Sequence, residues 1–539
     1  MLLHDKTKKI RVVHVNMLRR FVERINCFVT SEMDSEEFSN SIPAAFPEGI
    51  TRTLTSKNVN INPDLSHSQS EKLKQLLKKF DPIFSDLPGD TDVLRHQIRT
   101  VNDLPIICAP YPISQALVPI AQKEINTALK LGLISPVINE VNPTPYASPV
   151  ILVKKREKGL YRLCIDHRKL NSVTISQAYR IADASQLVDK VSSAMYLSLV
   201  DLTRGYNQLR ICEEDIHKTG FLCLGKHYVC NFLSFGLSGA PSSFQLCLDI
   251  VLSGLESFAV AFLDDICIFS QSFEDHLKHL ESVFKALEKA RLTANPTKVN
   301  LGMKELRFLG YMVGGGKKKV DMEKVELLDK IKIPTSKKEV RSFLGFTGFF
   351  KSFVPHYSKI AAPLTDLLKK TSSELIPWSQ ETQKSFDLLK ESLKKAPVLK
   401  SPDFEAPFYV LVDSSLVAVG GLLAQKQDGQ LKPILYIGRK FNETERRLAA
   451  TERECLGIIS VFNKLKYYLL GRHFYLLTDA KSLTFLKTSS SSNSKLMRWG
   501  LLLAEFDFSC AHLPGAQLII PDYLSHNVDY TTDGNSPTL

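Results

Sequence analysis

The chain has 539 residues, of which 44% are hydrophobic and 23% are charged, so it is long enough for three or four globular domains. Its formal net charge of +12 favours a polyanionic partner, although a basic surface kept for solubility is the alternative on charge alone. The ten cysteines include no Cys-x-x-Cys pair and no Cys/His metal spacing, which argues against a disulfide-stapled or zinc-binding protein and for a reducing compartment inside the cell. No apolar run is long enough to cross a membrane, and the N-terminus, with His4, Asp5 and Lys6, does not follow a signal-peptide pattern.

The first part of the chain combines a tail with a compact region of mixed helices and strands. Residues 1–55 are predicted to be a tail that holds one strand, Arg11–Leu18, and a polar linker. Hydrophobic spacing then predicts, in order, helices at Ser68–Phe80 and Leu117–Leu133, strands at Ser148–Lys154 and Tyr161–Ile165, and a buried strand at Ala194–Leu202.

The second part has the same mixed pattern and is predicted to divide near residue 400, between Pro397 and Pro402. A capping box at Ser272–Asp275 opens a helix. Further on, the sequence predicts, in order, a strand at Arg307–Val313, a flexible basic turn at Gly314–Lys319, a helix opened by Ser336 and Glu339, a hairpin of the strands Phe408–Val412 and Gly420–Gln425, a helix at Thr451–Leu470, a strand at Phe474–Thr478 and a polar loop at Ser489–Ser492.

Two adjacent aspartates, Asp264 and Asp265, lie within the apolar stretch Phe258–Phe269. Burying one ionised carboxylate is costly, and a second one beside it raises the pKa of both. A divalent cation such as Mg²⁺ would offset that cost, because it prefers carboxylate oxygens. A solvated turn is the alternative, but Gly, Pro, Asn and Ser are absent from this stretch. We therefore predict a tight hairpin that aims both acids into a cleft.

Asp201 is a candidate third ligand. It ends the apolar stretch Tyr196–Val200, so it is predicted to lie at the C-terminal end of a strand, where the sites of α/β proteins gather. With Asp264 and Asp265 it would bind two Mg²⁺ ions about 4 Å apart, which would lower the pKa of an attacking 3′-hydroxyl and stabilise the leaving oxygen of a triphosphate. Taken alone, Asp201 could instead be a helix N-cap, given the following Thr203.

A second set of four acids follows near the C-terminus and lies on separate predicted elements, namely Asp413, Glu454, Asp479 and Asp522. Asp413 and Asp479 each end a strand, and Glu454 lies in the first turn of a helix. Together the four could surround two Mg²⁺ ions and activate water against a phosphodiester. Structural alternatives exist, because Glu454 also completes a capping box with Thr451, and Asp522 after Pro521 could simply begin a helix.

Both acid sets belong to motifs that occur in a fixed order. The first group is Tyr146–Lys155, Tyr161–Asn171, Asp201–Gln208, Phe235–Gln245, Phe262–Asp265 and Phe308–Tyr311. The second group is Val412–Ser415, Ala450–Glu454, Leu477–Asp479 and Asp522–Ser525. With these motifs the chain, from about residue 60 to 527, resembles the reverse transcriptase–ribonuclease H region of gypsy-type LTR retrotransposons and, by extension, of retroviruses.

The resemblance implies roles for residues outside the two acid sets. Lys155 and Arg162 would contact the incoming triphosphate, and Tyr206 would stack under the sugar and exclude a ribose 2′-hydroxyl. Leu309 and Gly310 would form the primer grip. The structural alternatives are solvated charges for Lys155 and Arg162, a core tyrosine for Tyr206 and plain strand packing for Leu309 and Gly310.

The chain departs from the family pattern at a few positions, none of which is a metal ligand in that pattern. Phe262 stands where Tyr is usual in the aromatic-x-Asp-Asp box. In the nuclease motifs the departures are Ser414, Ala480, Pro521 and His526. Residues 11–24 are similar to the C-terminal end of an integrase from such elements, which implies that integrase precedes reverse transcriptase in a parent polyprotein; a basic leader is the alternative.

The fold class expected is a multidomain α/β and α+β protein, a right-hand polymerase with fingers, palm and thumb, followed by a connection and a ribonuclease H-like α/β domain. The expected divisions are a tail at 1–55, fingers and palm at 56–315, thumb and connection at 316–400, the nuclease-like domain at 401–527 and a tail at 528–539.

The expected function is RNA-directed DNA polymerisation with ribonuclease H activity, using Mg²⁺ or Mn²⁺. The expected partners are an RNA template, a DNA primer, the RNA–DNA hybrid, deoxynucleoside triphosphates and a polyprotein or dimer partner, with no membrane. The expected location is intracellular, in a cytoplasmic particle or the nucleus. The alternative function is a domesticated or decayed copy that binds nucleic acid without catalysis.

Overall fold

The computed structural model describes residues 2–3, 10–11, 52–138, 143–154, 161–176, 178–179, 182–369, 376–478 and 494–512. The chain divides into a unit of residues 1–46, of which one small antiparallel hairpin is described, and a unit of residues 47–539. Most of the strand predicted at Arg11–Leu18 and the loop predicted at Ser489–Ser492 lie outside the described residues.

The described secondary structure alternates between helices and short strands. The α-helices are α1 His67–Lys79, α2 Val118–Lys130, α3 Arg168–Val173, α4 Ala184–Ser192, α5 Glu213–Ile216, α6 Ala240–Val251, α7 Phe273–Lys289, α8 Met322–Glu326, α9 Lys337–Phe349, α10 Tyr357–Ile360, α11 Ala362–Asp366, α12 Gln380–Lys394, α13 Glu443–Arg446, α14 Ala450–Leu469 and α15 Ser494–Leu503. The strands are β1 Leu2–Leu3, β2 Ile10–Arg11, β3 Asn60–Ile61, β4 Thr91–His96, β5 Ile134–Pro136, β6 Val150–Lys154, β7 Tyr161–Ile165, β8 Tyr196–Asp201, β9 Leu209–Ile211, β10 Phe221–Cys223, β11 Lys226–Cys230, β12 Ala259–Phe262, β13 Asp265–Ser270, β14 Asn300–Met303, β15 Leu306–Phe308, β16 Tyr311–Gly314, β17 Lys317–Val320, β18 Leu399–Lys400, β19 Phe408–Ser414, β20 Ala418–Gln427, β21 Gln430–Lys440, β22 His473–Thr478 and β23 Asp507–His512.

Helix starts follow the capping signals of the sequence. Ser272 and Ser336 each accept a hydrogen bond from the backbone N–H three residues later, at the starts of α7 and α9. Ser66 caps α1 in the same way, so this helix begins at His67, one residue before its predicted start at Ser68. The helices predicted at Ser68–Phe80 and Thr451–Leu470 are confirmed to within a residue or two, the second without a side-chain cap at Ala449.

A five-stranded sheet, in the order β12–β13–β8–β14–β3, forms the centre of the first half. Its second strand, β13, alternates between two apolar cores: Ile266 and Ile268 pack on one face, and Cys267 packs on the other. Helix α7 covers the first face, where Phe284 is fully buried. Because β13 pairs antiparallel with both β12 and β8, the sheet brings the ends of three strands to one edge.

The segment after residue 300 differs from its sequence prediction. The strand predicted at Arg307–Val313 is two strands, β15 and β16, joined by a turn at Leu309 and Gly310. The turn predicted at Gly314–Lys319 is not flexible, because Lys317 begins β17, which pairs with β16 and β18. The flexible reading was wrong because glycines that suit a mobile turn also suit a tight hairpin, and tertiary pairing decides between the two.

The second half is built on another five-stranded sheet, in the order β21–β20–β19–β22–β23. The hairpin predicted from residues 408–425 is confirmed as β19 and β20, and the structure adds β21 as a third antiparallel strand. Strands β22 and β23 extend the sheet in parallel. Helices α14 and α15 bury one face around Phe462, and the helices between residues 322 and 394 bury the other face around Leu411.

Within the described residues, no helix combines the length and apolar character that crossing a bilayer requires.

Candidate active sites

The paired aspartates lie at a tight hairpin turn. Phe262 pairs with Asp265, so Leu263 and Asp264 form the two-residue connection between β12 and β13. Leu263 has φ +53°, a conformation that glycine or asparagine usually supplies in such turns. Its N–H donates to Oε1 of the buried Gln245 at 2.8 Å, and Gln245 Nε2 donates to the carbonyl of Ala261 at 3.1 Å. The predicted hairpin is present, and Gln245 on α6 holds its strained turn in place.

Strand pairing brings Asp201 to the same edge. Asp201 is the last residue of β8, and its Cα lies directly opposite that of Asp265 in the antiparallel register. The N-cap alternative for Asp201 is wrong, because the next helical turn, Gly205–Gln208, begins after Arg204. The three predicted polymerase acids are therefore neighbours in the fold.

The negative charges of the three aspartates are only partly compensated by the groups around them. Burial, with the charges of Asp201 and Asp265, raises the pKa of Asp264 to about 6. Burial and then Asp201 also raise the pKa of Asp265. The buried Oδ1 of Asp264 has no hydrogen-bond partner. A buried, unpartnered carboxylate oxygen beside two further carboxylates is a donor set that suits a divalent cation.

Lys298 is the cation that the chain itself supplies to this site. Its Nζ lies 3.0 Å from both Oδ1 and Oδ2 of Asp201. The pairing of Asn300 with Leu199 explains this contact, because continuing the antiparallel register by two residues sets Lys298 beside Asp201. Among the described residues, no three His, Cys, Asp or Glu side chains already converge on one metal position. The charge of Lys298 also opposes the rise in the pKa of Asp264 and Asp265.

Gly205 is needed for the close approach of backbone to Asp264. A Cβ at this position would lie 2.1 Å from Asp264 Oδ1 and 3.1 Å from the ring of Phe244. No side chain fits there unless the carboxylate moves. The glycine in the motif Asp201–Gln208 is therefore explained by the shape of the acid site.

An aromatic and cationic surface lies beside the acids. The guanidinium of Arg162 is 4.8 Å from the ring centre of Phe235, and the ring of Tyr206 lies 5.1 Å from that of Phe235. Tyr206 also packs edge-on to Phe244 at 5.5 Å. Burial and then the charge of Asp264 raise the pKa of the Tyr206 hydroxyl, and the Arg162 charge in turn lowers the pKa of Asp264. Arg162 and Tyr206 thus lie beside the acids, while Lys155 lies outside the described residues.

The predicted primer-grip residues form the turn of the β15–β16 hairpin. Leu309 has φ +47° and Gly310 has φ +86°. A Cβ on Gly310 would lie 2.6 Å from Lys324 Nζ and 3.1 Å from the ring of Phe349. Leu309 packs against the core that also holds Phe308, so it is both a packing residue and a half-buried residue of the hairpin turn.

The second acid set is described for two of its four members. Asp413 lies near the end of β19, and Glu454 lies in the second turn of α14, since that helix begins at Ala450. The capping box of Thr451 and Glu454 is wrong, because Thr451 lies inside the helix and Ala449 is the N-cap residue. Asp479 and Asp522 lie outside the described residues.

Close packing of α14 on β19 brings these two acids to one end of the sheet. A Cβ on Gly457 would lie 2.2 Å from Ser414 Oγ, which shows how closely the helix meets the strand after Asp413. Asp413 pairs with Gly420, whose Cβ position lies 3.0 Å from Nδ1 of the half-buried His356. Burial lowers the pKa of His356, and Asp413 opposes that shift. Sequence reasoning did not single out His356, Lys298 or the role of Gln245, because each depends on a contact with a distant segment.

Comparison with known families supports both parts of the chain. Residues 153–313 match the family described as reverse transcriptase (RNA-dependent DNA polymerase). Residues 378–476 match the RNase H-like domain found in reverse transcriptase. The two matched ranges contain the first acid set and two members of the second.

Similar proteins include the retrovirus-related Pol polyprotein from transposon 297 of Drosophila melanogaster, 34% identical over 86% of this chain and 43% of the relative. The corresponding polyprotein from transposon gypsy of the same organism is 32% identical over 83% of this chain and 44% of the relative. The chain thus spans less than half the length of these curated relatives.

Among solved structures, a foamy viral protease–reverse transcriptase dRH in complex with double-stranded DNA has a TM-score of 0.77 to this chain. It is 22% identical and covers 87% of this chain and 83% of its own. The predicted fold class, a right-hand polymerase followed by a ribonuclease H-like α/β domain, is confirmed by this similarity and by the two family matches.

Proposed function

Because the chain belongs to the reverse transcriptase–ribonuclease H family of gypsy-type retrotransposon Pol polyproteins, we propose that it copies RNA into DNA and degrades the RNA strand of the resulting hybrid. The observation that carries the polymerase activity is the meeting of Asp201, Asp264 and Asp265 at one sheet edge, with a buried Asp264 oxygen left unpartnered. A decayed copy that binds nucleic acid without catalysis is the competing function.

In the polymerase site, Asp201, Asp264 and Asp265 would hold two Mg²⁺ ions, or Mn²⁺ in their place. When bound, such ions activate a 3′-hydroxyl and neutralise the charge of a triphosphate. The chain's own residues would orient the reactants. Arg162 and Lys155 would contact the phosphates, and Tyr206, held between Phe235 and Phe244, would form the floor under the sugar.

The β15–β16 turn would place the primer, because Leu309 and Gly310 would support its terminal nucleotide. The turn suits glycine, because a Cβ on Gly310 would crowd Lys324 and Phe349 and the φ of this residue is +86°. Positioning of this kind supplies much of the rate of a reaction in which the protein performs little covalent chemistry.

Primer extension on an RNA template with Mg²⁺ tests the polymerase function. We expect wild-type chain to extend the primer and Asp265→Asn to lose about 10³-fold or more of the rate, since several kcal/mol of charge stabilisation are removed. Asp64→Asn, an exposed aspartate near the start of α1, is the matched control and should extend at the wild-type rate. Equal extension by Asp265→Asn, or none by folded wild-type chain, would contradict the proposal.

In the nuclease domain, Asp413, Glu454, Asp479 and Asp522 would hold two divalent ions and activate water against the RNA strand. We expect Asp413→Asn to abolish cleavage of labelled RNA in a hybrid while primer extension stays at the wild-type rate. The control is Asp428→Asn in the exposed β20–β21 turn, where a residue with φ +51° tolerates asparagine well. Loss of both activities in Asp413→Asn would instead indicate a folding defect.

The partners of the chain would be the RNA template, the DNA primer, their hybrid and deoxynucleoside triphosphates. A second copy of the chain or a polyprotein neighbour would be a protein partner. The solved relatives were obtained with double-stranded DNA or with an RNA/DNA hybrid, which supports the nucleic acid partners. We also propose an intracellular location, in a cytoplasmic particle or the nucleus.

A further inference from the structure

A buried ionic network joins three distant segments of the chain. Asp189 on α4 has a fully buried side chain, and its Oδ1 lies 2.5 Å from Nζ of Lys318 on β17, whose side chain is 7% exposed. The hydroxyl of Tyr468 on α14 donates to the other oxygen, Asp189 Oδ2. Burial and then the charge of Asp189 raise the pKa of Tyr468, so its hydroxyl remains a proton donor.

Backbone and serine contacts surround this network. The N–H of Gly316 donates to the carbonyl of Ser192 at 2.9 Å, and the N–H of Gly315 donates to that of Ala194 at 2.9 Å. The hydroxyls of Ser192 and Ser401 are hydrogen-bonded to each other, and both residues are buried. The end of α4 is therefore fixed to the β16–β17 turn and to the segment that enters the second sheet.

Because the network consists of charged hydrogen bonds, the contact between α4, β17 and α14 depends on the distance and direction of the bonded groups. An apolar interface tolerates small shifts, whereas a buried carboxylate must keep both of its partners within hydrogen-bonding distance. Losing one partner leaves a buried charge uncompensated, which costs several times more than an exposed ion pair. The network thus allows one relative placement of α4, β17 and α14.

Two of these elements, α4 and α14, lead directly to a candidate active site. Helix α4 is followed by β8, which ends at Asp201. Helix α14 carries both Tyr468 and Glu454, and their separation of 14 positions spans about 21 Å along one helix. A change in how α14 sits on α4 would therefore move Glu454 relative to Asp201.

We propose that Asp189, Lys318 and Tyr468 are positioning residues that set the distance between the polymerase and nuclease sites, and hence the number of base pairs between the primer terminus and the RNA cut. This inference rests on the proposed function. It assigns to the network a geometric role that adds to its contribution to stability.

The test uses the full chain on a hybrid with labelled RNA and a defined primer terminus. Tyr468→Phe removes only the hydroxyl and keeps the ring against Phe404 and Phe408. We expect its RNA cuts to shift or spread over neighbouring nucleotides, with the rate of primer extension unchanged. Tyr467→Phe, the 46%-exposed neighbour on the same helix, should cut at the wild-type positions.

Two further measurements keep failure of the inference distinct from failure of the function. Amide hydrogen exchange should rise in α4 and β17 of Tyr468→Phe, with the strands of both sheets still protected, whether or not the chain cleaves RNA. The double variant Asp189→Asn/Lys318→Met removes both charges without leaving one unpaired, and it should displace the cuts as well. Wild-type cut positions in both variants, or unchanged exchange, would overturn the inference; absence of cleavage by wild-type chain would overturn the nuclease function alone.

Discussion

At the scale of single residues, the proposed polymerase site contains a carboxylate whose charge destabilises the folded chain. Asp264 is buried beside two like charges, and its pKa of about 6 lies above its ordinary value of 3.8. The folded chain therefore holds that proton more readily than the unfolded chain does. The contribution of Asp264 to the free energy of unfolding consequently falls as the pH rises from 3.8 through about 6.

At pH 7 without Mg²⁺, Asp264→Asn is expected to have a higher free energy of unfolding than wild type, by an amount on the order of 1–3 kcal/mol. Its unfolding temperature should therefore be higher. The difference should narrow toward pH 4, where the wild-type carboxyl is protonated. Added Mg²⁺ should stabilise wild type more than the variant, which keeps only the ions of the nuclease domain, while primer extension is lost. Thermal unfolding with and without Mg²⁺ measures this; an equal Mg²⁺ response in both proteins would contradict it.

Gly205→Ala should lower primer extension by about 10²-fold, because displacing Asp264 by the new Cβ misplaces a reacting group by the order of an ångström. Gly345→Ala is the matched control. Its Cβ meets open space within α9, so it should keep wild-type extension and gain about 1 kcal/mol of helix stability. A wild-type rate in Gly205→Ala would show that Asp264 has room to move.

At the scale of elements, α7 is attached to the central sheet through a buried polar chain. His276 on α7 is fully buried, and its Nε2 and Nδ1 lie 2.7 and 2.8 Å from the hydroxyls of Ser198 on β8 and Ser270 on β13. Burial lowers the pKa of His276 to about 3. The neutral imidazole thus links a helix to two strands of the site.

Acid should therefore loosen this attachment. Because the folded pKa of about 3 lies below the ordinary 6.5, stability is fully present above 6.5 and falls as the pH drops toward 3. We expect His276→Gln to show a shallower decline of the unfolding midpoint between pH 7 and 4 than wild type. His67→Gln, at an exposed residue of α1, should keep the wild-type slope, and the buried His96 and His167 should leave a residual slope in His276→Gln. Identical slopes in all three proteins would refute this role.

At the scale of the whole molecule, two acid sites share one basic chain with a formal net charge of +12. A protein that holds a hybrid through its phosphates releases counterions on binding, so its affinity depends on salt. We expect hybrid affinity to fall by about 10³-fold or more between 50 and 200 mM salt, as six to ten phosphate contacts imply. Fluorescence anisotropy measures the slope. Asp264→Asn should show the same slope, whereas a flat salt dependence would argue against a phosphate-tracking surface.

The sequence by itself determined the fold class, most element positions and the identity of the polymerase acids. Apolar spacing and caps act locally, so α7, α9 and the β19–β20 hairpin follow from neighbouring residues. The motifs also occur in the order found in the reverse transcriptase and RNase H-like families that the chain matches. Asp264 and Asp265 could be identified from the sequence because two adjacent carboxylates in an apolar stretch are costly to bury.

Only the tertiary structure decided which distant groups act on those acids. Lys298 meets Asp201 through the pairing of β14 with β8, and Gln245 holds the Leu263 turn from another element. Residues Asp189, Lys318 and Tyr468 are unremarkable in sequence and meet only when α4, β17 and α14 pack together. A local pattern specifies a local conformation, but contacts between residues that are 18 to 279 positions apart are fixed by packing, burial and strand register, which no single stretch of the chain contains.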